Sequence, residues 1–115
     1  MMDRTHPDSA ELEAPPIASA ILNHPLYDVF MQAIVQAMYG KGERHGGAGV
    51  PFMEQQWVAL GKSHGNGFLT GQAAKKLNEA AERGEYDDAF NREVLGAMVY
   101  AGMAYIDAKR RQRGE

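Results

Sequence analysis

The chain has 115 residues, no cysteine and a formal net charge of −3. That length allows one domain with one core. The missing thiols exclude disulfides, thiolate catalysis and Cys-ligated zinc, and the mildly acidic balance gives no footing for nucleic-acid binding. Hydrophobic residues make up 44% and charged residues 23% of the chain, an ordinary soluble composition. The longest apolar-rich run, 94–106, is shorter than the roughly 20 residues a membrane span needs. No basic segment followed by an apolar run opens the chain. We therefore expect a cytoplasmic protein with neither membrane nor nucleic acid as partner.

Residues 1–16 read as a disordered acidic tail carrying Asp3, Asp8, Glu11 and Glu13. A single all-α domain is expected over 17–112. Pro15 and Pro16 open a short helical turn through Leu22. "NHPLYDVFMQAIVQAMYG" is the first clear helix, with Asn23 as cap, Pro25 in the first turn and Asp28 at the positive end. Gly40 stops it. "GKGERHGGAGV" is a glycine-rich loop carrying Lys41, Arg44 and His45.

Pro51 opens the second helix, "PFMEQQWVALGKSH", with Met53, Trp57, Leu60 and His64 on one face. "GNG" ends it. "FLTGQAAKKLNEAAER" is the third helix, capped by Thr70 and facing its neighbours with Ala73, Leu77, Ala80 and Ala81. Gly84 suits a left-handed C-terminal position, and Asp87 or Asp88 caps the next helix. The fourth helix spans about 89–111. Phe90, Val94, Ala97, Met98, Ala101 and Tyr105 form one stripe; Leu95, Val99, Gly102 and Ile106 form another. A helix apolar over so much of its girth is buried on more than one side. Its small residues Gly96, Ala97, Ala101, Gly102 and Ala104 would admit a close partner helix. No strand pattern occurs. The expected fold is all-α: a four-helix bundle-like protomer with a Gly-rich loop between helices 1 and 2, homo-oligomeric through the last helix.

Three acids stand out. Glu79 and Glu82 lie three apart on one helix face, and Glu93 lies one turn into the following antiparallel helix. Three carboxylates could hold Mg²⁺, which takes hard oxygen ligands and shares them with substrate phosphates. The plainer alternative is a solvated hairpin with Glu79 paired to Arg83. Cations beside glycines give a second set. Arg44 and His45 are in the first loop, Lys62 and His64 at a helix end, Lys75 and Lys76 just beyond. Glycine-rich backbone near cations is a common phosphate cradle, and helix C-termini equally favour cations. Trp57 fits a core position or a base-stacking one. No residue pattern points to a catalytic nucleophile.

The segment "KKLNEAAERGEYDDAFNREVLGAMVYAGMAYI" resembles the core hairpin of MazG-like all-α nucleoside triphosphate pyrophosphohydrolases. That family carries E-x-x-E on one helix and E-x-x-D on the next, binding Mg²⁺ on nucleotide phosphates. Glu79, Glu82 and Glu93 match its first three acids, and Gly96 stands at the fourth. The resemblance implies a Mg²⁺-assisted nucleotide-binding protein whose hydrolysis is weak or lost. Lys62, Lys75 or Lys76 would meet the phosphates. "QQWVALGKSHGNGFLTGQ" is similar to a hairpin of small phage proteins that sequester cyclic nucleotides. This implies the alternative: a non-enzymatic anti-defence protein that holds a nucleotide messenger or blocks an immune complex. There Arg44, His45, Lys62, His64 and Trp57 would form the cradle.

Overall fold

A computed structural model describes residues 15–40 and 50–115. Of the expected tail over 1–16, residues 1–14 lie outside the described residues, as does the glycine-rich loop with Arg44 and His45, while Pro15 and Pro16 are the first residues of a helix. Every described element is helical, as the sequence pattern required. In chain order these are α1 (Pro15–Leu22), α2 (Pro25–Val35) widening into a π turn (Gln36–Gly40), a 3₁₀ turn (Phe52–Glu54), α3 (Gln56–His64), α4 (Asn66–Glu82) and α5 (Asp88–Gln112).

The body is the hairpin of α4 and α5. Asn66 reaches Ala104 and Asp107, and Lys76 reaches Glu93, so the two helices run antiparallel. The turn between them is built as expected. Gly84 sits at φ +75°, a conformation that favours glycine. Asp87 caps α5, its Oδ1 accepting from the Phe90 N–H at 2.9 Å. Arg83 donates to both carboxylate oxygens of Asp87, at 3.1 and 2.6 Å. These bonds, Arg83 first and the Phe90 N–H second, bring the Asp87 carboxyl down to about 2.

The core lies where α2, α3 and α4 meet the middle of α5. It contains Ala33 and Ala37, Trp57, Leu69, and Val99, Tyr100, Met103 and Ala104. Leu69 is 0% exposed and Trp57 2%. The Trp57 indole N–H donates to the Phe52 carbonyl at 2.8 Å, so the 3₁₀ turn closes under its ring. Gln55 is also buried and donates to the Val50 carbonyl.

Several local expectations change. His24, not Asn23, caps α2, its Nδ1 accepting from the Leu26 N–H; Asn23 instead donates back to the Ser19 carbonyl and closes α1. Pro51 opens only the 3₁₀ turn, and α3 starts at Gln56. Thr70 is interior to α4, donating to the Asn66 and Gly67 carbonyls. The cap of α4 lies five residues earlier, at Gly65, which at φ +86° both ends α3 and precedes α4. Its positive φ reverses the chain without a loop. Leu77 and Ala81 face out, and the inward line of α4 is Leu69, Ala73, Lys76 and Ala80. On α5 the buried line is Gly96, Ala97, Tyr100, Met103, Ala104 and Asp107, while Ala101, Gly102 and Tyr105 are exposed. Much of the small-residue surface of the last helix is therefore taken up within its own chain.

One polar cluster sets the α3–α4–α5 junction. Asp107 is 7% exposed. Its Oδ2 accepts from Arg111 Nε at 2.7 Å and Asn66 Nδ2 at 3.0 Å. Arg111 also donates to the Gly61 carbonyl at 2.8 Å. A Cβ on Gly61 would come within 3.3 Å of Leu69 Cδ1 and 3.4 Å of Asp107 Oδ1. The Arg111 bond, more than the Asn66 bond, holds the Asp107 carboxyl below its ordinary value against the opposing effect of burial.

Two outcomes follow. Leu69→Ala, which empties a fully buried site, should cost ~2.5–5 kcal/mol in urea unfolding. A loss under 1 kcal/mol, on the order of an exposed substitution, would place the core elsewhere. The carboxyls of Asp87 and Asp107 are depressed in the folded state. Their stabilisation is present above the unfolded carboxylate value near ~4 and is lost as pH falls through the folded values, toward about 2 for Asp87. Asp107→Asn should cost ~1–3 kcal/mol at neutral pH and flatten the acid loss. Parallel acid-unfolding curves for the two proteins would remove Asp107 from that linkage.

Candidate functional site

The hairpin places the three acids unequally. Lys76 lies on the inward line of α4 and its side chain is only 12% exposed. Its Nζ is 3.8 Å from Glu79 Oε2 and 3.5 Å from Glu93 Oε2. Lys75 adds a contact to Glu79 at 3.9 Å. Antiparallel pairing thus brings Glu79 and Glu93 to one point, and an ammonium already sits there. Glu79 pairs with these lysines, while Arg83 turns to Asp87. Glu82 is exposed on the outer side of α4. Gly96 is buried and offers no ligand.

Mg²⁺ needs oxygens converging on one open position. Among the described residues no three His, Asp or Glu side chains form such a set. With Lys76 between Glu79 and Glu93, the acids as arranged do not fit a divalent ion. They make a charge-compensated seam between the hairpin helices.

The cations part company. Lys62 lies on a cleft of about 340 Å³ with Asp107, Arg110, Arg111 and Glu115. That cleft is the outer edge of the Asp107 cluster, so its Arg111 already serves the fold. His64 is exposed, its ring 6.0 Å from that of Phe68. Trp57 is wholly in the core and its ring faces Phe52 at 5.1 Å. Lys62, His64, Lys75 and Lys76 therefore do not form one cradle.

A groove that the sequence did not single out lies between α2 and the start of α5. Its volume is about 780 Å³, within the range of small-molecule sites. Val29, Val35, Phe90, Val94 and Leu95 give it apolar walls; Gln32, Gln36, Asn91, Asp88 and Arg92 give it polar groups. Tyr39, 72% exposed, stands at its rim. Gln36 Nε2 donates to the Arg92 carbonyl at 3.0 Å, fixing α2 to α5 at the groove. The slot thus combines aromatic rings and amides with one carboxylate and one guanidinium. The sequence signal was faint: Gln32 and Gln36 are one turn apart on an apolar helix, and Asn91-Arg92 opens the next.

The seam gives a direct test. Lys76→Met should cost ~1 kcal/mol, the usual scale of such pairs. Adding Glu93→Gln should recover part of it in a double-mutant cycle. Strictly additive losses would mean that the ammonium and carboxylate are not coupled.

Comparison with protein-family models, curated proteins and solved structures finds no match to this chain.

Proposed function

We propose that this chain is a small helical nucleotide-binding protein that holds a phosphorylated nucleotide without hydrolysing it and works as a homo-oligomer. The α2–α5 groove carries the reading. A base would lie against Tyr39, Phe90 and the valines. Gln32, Asn91 and Asp88 offer donors and acceptors to its edge, and Arg92 suits a phosphate. The seam supports the non-hydrolytic part, because Lys76 compensates the carboxylates that a metal-dependent hydrolase would leave open.

The rival is the MazG-like reading with Mg²⁺. It is favoured by the approach of Glu79 and Glu93 to one point across the hairpin.

Thermal unfolding against nucleoside triphosphates and cyclic dinucleotides, each with and without Mg²⁺, separates them when the ligand is then run on chromatography. We expect a metal-independent rise with the ligand recovered unchanged. At 100 times Kd the stabilisation should reach ~2.7 kcal/mol. Arg92→Ala and Gln32→Ala, both at exposed positions, should abolish the rise and leave the unliganded Tm in place. A rise only with Mg²⁺, with monophosphate appearing, would establish the rival. No rise with any nucleotide would end both.

A further inference from the structure

We infer that the outer surface of α1 and α2 is a self-association face, covered in solution by the same face of a second copy of this chain. This gives a location to the homo-oligomer of the preceding reading and does not depend on the nucleotide.

Ordinary helices put their largest apolar side chains inward. α2 does the reverse. Its buried contacts are the small Ala33 and Ala37, while Met31, Ile34, Val35 and Met38 are exposed. α1 goes further: among the described residues it has no extensive packing against another helix. A helix of eight residues is not stable in water by itself. Between α1 and α2 runs a groove of about 510 Å³ lined almost wholly by apolar atoms, chiefly of Ile17, Ile21, Leu26, Tyr27 and Phe30.

The amount of surface approaches that of an interface. Eleven of the fifteen exposed large hydrophobics of the described residues lie on α1, α2 and the π turn; Val29, Val35 and Tyr39 line the α2–α5 groove, which leaves eight for the outer face. At roughly 150 Å² for a large side chain, the low end of the aromatic range, half exposure of eight leaves on the order of 600 Å². A stable dimer covers about 800 Å² on each partner, whereas the largest apolar patch on a monomer is ~300–600 Å².

The sequence narrows what can cover it. Residues 1–14 contain only Met1, Met2 and Leu12 as large apolar side chains, and residues 41–49 contain none. Neither segment has the apolar content to cover the face. A lipid surface is poorly matched, because interfacial helices are rich in Lys and Arg and residues 15–40 contain neither. Asp28 is their one charged residue. A second copy meets the requirement. The patch holds both a ridge (Met31, Ile34, Met38) and a groove (Ile17, Ile21, Phe30), so it can be self-complementary about a two-fold axis. So low a charge leaves little like-charge repulsion across that axis.

The test uses the full chain without nucleotide. Sedimentation at micromolar concentration should give twice the 12.6 kDa chain mass. Met31→Glu combined with Ile34→Glu should weaken association by about 100-fold or more, since like charges then meet across the axis, with the helical circular dichroism unchanged. Should that variant unfold, a second measurement decides. Because the chain has no cysteine, Met31→Cys can be cross-linked by a short bis-maleimide, with Asn78→Cys on the exposed side of α4 as control. Dimer cross-linked through Met31→Cys and not through Asn78→Cys bears the inference out. A monomeric wild type, including one that binds phosphatidylcholine–phosphatidylglycerol vesicles, overturns it. So does cross-linking no stronger at 31 than at 78. Loss of the nucleotide-induced Tm rise with the dimer intact would count against the groove reading alone.

Discussion

The buried carboxylate of Asp107 is the constraint on which the body of this protein depends. A charge in that position is tolerable only with hydrogen-bond partners. It has two, Asn66 and Arg111, and Arg111 carries the bond on to the Gly61 carbonyl. Three helices are thereby tied at one point. Two glycines serve this junction for different reasons. A Cβ on Gly61 would press on Leu69 Cδ1 at 3.3 Å, and Gly65 turns the chain directly from α3 into α4 through a positive φ. With Asn66 fixed against Ala104 and Asp107, the register of the α4–α5 hairpin is set along its length.

That register decides what the charged residues can do. It carries Lys76 inward and opposite Glu93, on the same line as Leu69, Ala73 and Ala80. Glu79 is drawn to the same ammonium, while Glu82 points away. The acids resemble a metal-binding signature in sequence, yet in space two of them already share a cation. Lys76, Glu79 and Glu93 compensate one another within the hairpin, and a groove lies on the other side of α5, against α2.

α2 belongs to two surfaces at once. Its alanines meet the core, Gln32 and Gln36 line the groove to α5, and its outer methionines and isoleucine are exposed. The π turn at its end, Gln36–Gly40, widens the last turn where Tyr39 reaches the groove rim.

The sequence by itself determined the helical class, the existence of each helix, and the α4–α5 turn with Gly84 and Asp87. These depend on local matters: apolar periodicity, the φ of one glycine, a cap three residues from its N–H. It also contained the convergence of Glu79 and Glu93, because antiparallel helices joined by a short turn place those positions opposite each other. It did not reveal the Asp107 cluster, whose members are separated by up to fifty residues, nor that Arg111 bonds a distant carbonyl as well as complementing a helix end. It gave no sign that Lys76, one of two adjacent lysines, would face inward, since helix phase is set by what the helix packs against. Nor could it say which apolar residues of α2 would be buried, because periodicity reports that a face is apolar and not which neighbour covers it. Tertiary structure decided these things, for one physical reason: burial, pairing and free space are properties of surfaces brought together, and each surface draws its residues from distant parts of the chain.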